Sequence, residues 1–144
     1  MPYKGSFKPL HPEKYKGDVS NIIYRSLWER TMMKFFDTNS SILKWSSEEC
    51  KIPYISPKDN KQHFYFPDFV IQMKSKDGKI KIVMIEIKPE KQTIIPKTPK
   101  RKTKSYFNEC VTYGINLAKW DAAQKYCSIK NWEFKIMTEK NIYG

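Results

Sequence analysis

Two apolar runs, HFYFPDFVIQM (63–73) and KIKIVMIEIK (79–88), constrain this chain most, because SKDGK (75–79) joins them. Both are rich in the β-branched and aromatic residues that a pleated, half-buried surface favours. Asp77-Gly78 between them supplies the positive φ that a tight reversal needs. The text predicts a β-hairpin. Each arm also carries a carboxylate, Asp68 and Glu86, where a sheet would sooner bury hydrocarbon.

Period-two alternation places Ile80, Ile82, Met84, Glu86 and Lys88 on one face of the second strand. Lys81, Val83, Ile85 and Ile87 take the other. Register about the Asp-Gly turn then brings Asp68 near Glu86 at the ends remote from the turn. Two ionised carboxylates there repel, and neither is easily buried without a cation beside it. A divalent ion resolves the conflict, since Mg²⁺ takes hard oxygen ligands, commonly one or two carboxylates with water and phosphate oxygens. Lys88 adds a point charge on the same face.

A helix is expected over 19–37, capped by Asp18 or Ser20, with Ile22, Ile23, Leu27, Met32, Met33, Phe35 and Phe36 at helical spacing. Glu29 falls among Ile22, Met33 and Phe36 on its apolar side, with Ser26 one turn earlier. Residues 42–55 suit one or two strands before the loop SPKDNKQ. A second long helix is expected over 105–127 from Phe107, Val111, Leu117, Ala118 and Ala122, followed by a strand in WEFKIMT. Residues 1–17 mix Pro, Gly, Lys and aromatics without a period and read as an irregular arm, either packed on the domain or reaching a partner. Residues 18–144 make one domain.

Taken singly, each acid has an ordinary explanation. Glu86 and Lys88 form a polar pair at a strand end, Asp68 is a turn acid after Pro67, and Glu29 is a helical partner of Arg25. Taken together, three acids and a lysine on apolar faces of adjacent elements need three separate excuses.

Charge narrows the partner. Lys and Arg total 27 against 15 acids, a net +12, which points to a polyanion and foremost to nucleic acid. No stretch is long and apolar enough to span a membrane, and no apolar segment follows the basic N-terminus, so neither membrane nor secretion is expected. The 3 cysteines are odd in number and far apart, and with the 2 histidines they match no zinc spacing. They read as small buried hydrophobes. The segment after the hairpin holds Lys91, Lys97, Lys100, Arg101, Lys102 and Lys104 among prolines, and reads as a solvated tether or as an arm along phosphates.

Pro67-Asp68, then Glu86-Ile87-Lys88, with Glu29 on the preceding helix, resembles the PD-(D/E)xK superfamily of restriction-endonuclease-like nucleases. YRSLWE, YFPDF, IEIKPEKQ and KWDAAQKYC, spread from Tyr24 to Cys127, resemble the head completion nucleases of T-even-type tailed phages. The resemblance implies an α/β fold with a mixed sheet flanked by helices. It implies a metal-dependent nuclease, both endonuclease and exonuclease, acting on double-stranded DNA when filled phage heads are joined to tails. On that reading Asp68, Glu86 and the Ile87 carbonyl hold Mg²⁺, for which Mn²⁺ can substitute, and Glu29 reaches the metal directly or through water. Lys88 positions the attacking water, while Arg25 and the basic segment hold the DNA backbone. Phage head or portal proteins would be the partners, in the host cytoplasm or the virion head. Gln124 and Lys125 read as surface residues. A noncatalytic DNA-binding head connector is the alternative of another class; transposon-type endonuclease subunits share the helix acid, the PDF and the acid-x-Lys order.

Overall fold

The computed structural model describes residues 4–143, and side chains for 4–142. Residues 1–3 of the expected arm, and residue 144, lie outside the described residues. In chain order the elements are β1 (Gly5–Ser6), β2 (Ile23–Tyr24), α1 (Leu27–Thr38), β3 (Ile42–Ser47), β4 (Ile52–Ile55), β5 (Gln62–Tyr65), β6 (Phe69–Lys74), β7 (Ile80–Ile87), α2 (Lys104–Lys130), β8 (Glu133–Met137) and α3 (Glu139–Tyr143). The hairpin stands as expected: β6 pairs antiparallel with β7 from Phe69↔Ile85 to Lys74↔Ile80. Gly78 takes φ 83° in the turn, and Ser75 N–H donates to the Lys79 carbonyl at 2.8 Å.

The main sheet runs β3-β6-β7-β8, antiparallel except for the parallel β7/β8 edge. That is a mixed sheet with helices on both faces, the restriction-endonuclease-like arrangement. On one face α1 lays Met33 and Phe36 over Trp45, Phe69, Ile71, Val83 and Ile85. On the other, Trp120, Ala123 and Cys127 of α2 meet Met84, with Ile52 and Tyr65 completing the cluster. The two sets alternate along β7, so strand periodicity sorted them correctly. Cys50, Cys110 and Cys127 are free thiols, and burial pushes Cys127 up to about 11.

Three expectations are corrected. The first helix begins at Leu27, not near residue 19: Asp18 caps only a 3₁₀ turn, and Ile23–Tyr24 pairs with Gly5–Ser6. Ser26 is the true cap, its hydroxyl accepting the Glu29 N–H at 3.2 Å. Secondly, HFYFPDFVIQM is two strands. Pro67 has no N–H to give a ladder, and the chain crosses there from a small sheet, where β5 pairs with β4, into the main one. Finally, α2 runs three residues beyond the expected end and buries Asn116, Trp120, Ala123 and Cys127 rather than the expected stripe. Phe107 is 66% and Leu117 47% exposed.

The segment before α1 is packed on the domain over its described residues. Phe7 and Tyr15 enter the core, and the Asp37 carboxylate accepts the Leu10 and His11 N–H groups at 2.7 and 3.0 Å. Lys14 donates to the carbonyls of Phe36, Asp37 and Asn39, closing the end of α1.

Candidate active site

The site forms where three chain segments end beside one another. Register continues past the last β6/β7 pair to set Asp68 opposite Glu86, and past the last β3/β6 pair to set Glu48 opposite Asp68. The backbone agrees, since Glu48 N–H donates to the Asp68 carbonyl at 3.2 Å. Glu29 arrives from the first turn of α1, held by its cap. Its carboxylate accepts the Arg25 N–H at 3.3 Å and the Ser26 hydroxyl at 3.4 Å. The oxygens of Glu29, Glu48 and Asp68 all lie within 4.8 Å of one another.

Glu86 is 5% exposed, and its carboxylate bears directly on Asp68. Asp68 is held well above the ordinary carboxylate range, first by burial, then by Glu86 and by Glu29. One interaction works the other way: the Ile87 N–H donates to Asp68 Oδ2 at 2.8 Å. Glu29 is likewise raised, mainly by burial and secondarily by Glu48. A pocket that pushes acids towards the neutral form is one that lacks positive charge at its centre. Clustered oxygen donors with that deficit suit a hard divalent cation better than they suit each other.

The expected residues divide into two groups. Asp68, Glu86, Glu29 and Ile87 are together, with Lys88 directly after β7. Arg25 is not free for a phosphate: its guanidinium grips Glu48 with two bonds, Nε to Oε1 at 2.8 Å and Nη2 to Oε2 at 3.1 Å. Lys91, Lys97, Lys100, Arg101, Lys102 and Lys104 are exposed along the segment between β7 and the start of α2. Gln124 and Lys125 are exposed on α2, and Lys125 pairs with Asp121 at 2.9 Å.

Two members were missed. Glu48 sits in SSEEC just past β3 with φ 55°, a left-handed conformation uncommon outside glycine. Only the β3/β6 pairing brings it to Asp68, and no sequence signal announces that pairing. Lys119 of α2 has its ammonium lowered by burial and then by Lys88, while Glu86 and Asp68 act to raise it. Its Nζ stands 5.8 Å from the Tyr65 ring centre. The dyad of Lys88 and Lys119 therefore flanks the acids from the α2 side. The Tyr65 hydroxyl is buried without a hydrogen-bond partner, and burial followed by the Glu86 charge raises its pKa.

Residues 39–139 match the family described as TnsA-like endonuclease N terminal. Over 146 aligned positions, covering 99% of this chain and 95% of the relative, the sequence is 38% identical to the head completion nuclease of Enterobacteria phage T4. With a family match over most of the chain and identity at that level over its whole length, the chain belongs to the TnsA-like endonuclease family, as a homologue of a phage head completion nuclease.

Proposed function

We propose that this protein is a metal-dependent deoxyribonuclease that hydrolyses phosphodiester bonds of double-stranded DNA, as endonuclease and exonuclease, during phage head completion and head-tail joining. The observation that carries the reading is the convergence of Asp68 and Glu86 with Glu29 and Glu48 at one sheet end, with Lys88 and Lys119 beside them. The name of the T4 relative and its full-length match support the phage setting over a transposon one. Phage head or portal proteins are the partners that this setting supplies, in the host cytoplasm or the virion head.

Asp68, Glu86, the Ile87 carbonyl and Glu29 would hold Mg²⁺ or Mn²⁺, and Glu48 extends the same oxygen cluster. A bound divalent ion supplies Lewis-acid activation of water and neutralises charge gathering on the phosphate. The chain's own groups do the rest. Ile87 N–H fixes one Asp68 oxygen, so that the other would be the one to serve as a metal ligand. The Ser26 cap fixes Glu29. Lys88 orients the attacking water and stabilises the nonbridging oxygens, which needs only a charged ammonium. Lys119, half-buried and lowered, adds a second cation against the pentacoordinate charge.

The test is plasmid cleavage with Mg²⁺ or Mn²⁺, with EDTA and Asp68→Ala as controls. Cleavage should vanish in EDTA and fall about a hundred- to a thousandfold in Asp68→Ala, the loss expected when a main electrostatic stabiliser is removed. Cutting that persists in either control sinks the assignment. DNA retention with no strand breaks in any metal would point to a noncatalytic head connector.

A further inference from the structure

A cavity of about 720 Å³ opens between residues 91–97 and the first turns of α2. Its size falls in the range of roughly 300–1,000 Å³ that small-molecule sites occupy. Three features of its lining narrow the ligand. Ile94, Ile95 and Tyr113 give apolar walls, and Ile94 and Ile95 are left 58% and 73% exposed. Lys91, Lys97 and Lys104 line it against one acid, Glu109, so its charge is net positive. Asn116, only 4% exposed, brings a polar side-chain amide to the same lining. A side-chain amide offers both donors and an acceptor to whatever occupies the space.

The cavity shares α2 with Lys119. Asn116 precedes Lys119 by three residues on α2, which puts the two on one side of the helix about a turn apart. Lys119 in turn feels Lys88, Glu86 and Asp68. Lys91 stands three residues after Lys88 on the opposite wall. A double helix is too wide to enter such a space. One splayed nucleotide fits it: apolar and aromatic walls receive the base, an amide reads its edge, and lysines take the flanking phosphates.

We propose that this cavity is a subsite for one unpaired nucleotide of the DNA strand being cut, so that the preferred substrate is a duplex with a frayed or single-stranded end. The inference rests on the nuclease reading and adds to it the class of DNA end. Charge complementarity favours a nucleic acid strand over an apolar ligand, because three lysines outnumber the one acid, Glu109, in the lining.

Two synthetic duplexes test it, one blunt and one with short single-stranded tails, each carrying 2-aminopurine at its terminal position. Binding is measured in EDTA so that no strand is cut. The tailed duplex should bind about tenfold more tightly, within what stacking of one base contributes, and its 2-aminopurine emission should change on binding. Asn116→Leu and, separately, Ile95→Ser should bring the affinity ratio towards one. Ile95 is largely exposed, so its substitution does not threaten folding. Equal affinities in the wild type, or a tenfold ratio kept by both variants, overturns the subsite. If that happens while the wild type still cuts plasmid with Mg²⁺, the subsite alone is lost. Absence of cutting in every metal removes the nuclease reading and the subsite with it.

Discussion

Asp68 shows what a single residue has to reconcile. Its carboxyl is raised well above the usual range, chiefly by burial and then by Glu86 and Glu29, so the metal-free folded protein holds a proton there that the unfolded chain releases near pH 4. The sign follows from that difference. Between about pH 4 and the raised folded value the native state binds more protons, so stability is greatest below that window and is lost as pH rises through it. In EDTA the melting temperature of the wild type should therefore fall from about pH 4 to pH 8 more steeply than that of Asp68→Asn, which keeps the shape and removes the titration. Added Mg²⁺ should flatten the wild-type fall, because the ion takes the place of the proton. Parallel profiles in EDTA for the two proteins would mean that Asp68 is solvated. Asp68, Glu86 and Glu29 could be found in the sequence because each acid interrupts an apolar face. Glu48 and Lys119 could not: one lies in a polar stretch and the other in a helix whose exposed face is equally charged. Only tertiary contacts bring those two to the site.

At the level of elements, the site depends on how α1 starts. Ser26 and Glu29 form a cap of the S-x-x-E kind: the Ser26 hydroxyl satisfies the Glu29 N–H, and the Glu29 carboxylate, held by the Arg25 N–H and the Ser26 hydroxyl, is set beside Asp68. The signature was present in the text, yet the apolar residues upstream, Ile22 and Ile23, extended the apparent helical period back to residue 19. They are buried for another reason. Ile22 is 1% exposed in the core and its carbonyl accepts the Phe7 N–H at 2.8 Å, as part of the small β1/β2 ribbon. Long-range pairing outweighed local periodicity there, and a proline broke the first hairpin run in the same way. Ser26→Ala should cost about 1 kcal/mol, the ordinary loss for an N-cap. That corresponds to a fall of about 2–4 °C in melting temperature for a chain of this size. Nuclease rate should drop as well, with Mn²⁺ affinity weakened about tenfold, as expected when a group that orients a ligand is removed. A normal rate with the expected loss of stability would separate Glu29 from the reaction.

Across the whole molecule the +12 charge is divided into separate tasks. Some cations are already engaged within the fold: Lys14 closes α1, Arg25 grips Glu48, and Lys88 with Lys119 face the acids. Composition announced a polyanionic partner but could not say which lysines were free for it, since pairing is a property of the fold. Arg25 is the instructive case, because its bidentate bond to Glu48 withdraws it from the backbone-binding set. The exposed basic segment remains, with Lys97, Lys100, Arg101 and Lys102 standing in solvent between β7 and α2. If they lie along phosphates, each releases close to one counterion on binding, and affinity falls with salt in proportion to their number. Changing those four to Ala should reduce the slope of log K against log salt by about 3 to 4, weakening binding alike for unrelated duplex sequences. Arg25→Ala should leave that slope nearly unchanged, because its charge is already answered by Glu48. A slope that ignores the four substitutions would make the segment a solvated tether, and would move the phosphate contacts to the other lysines that the fold leaves in the open.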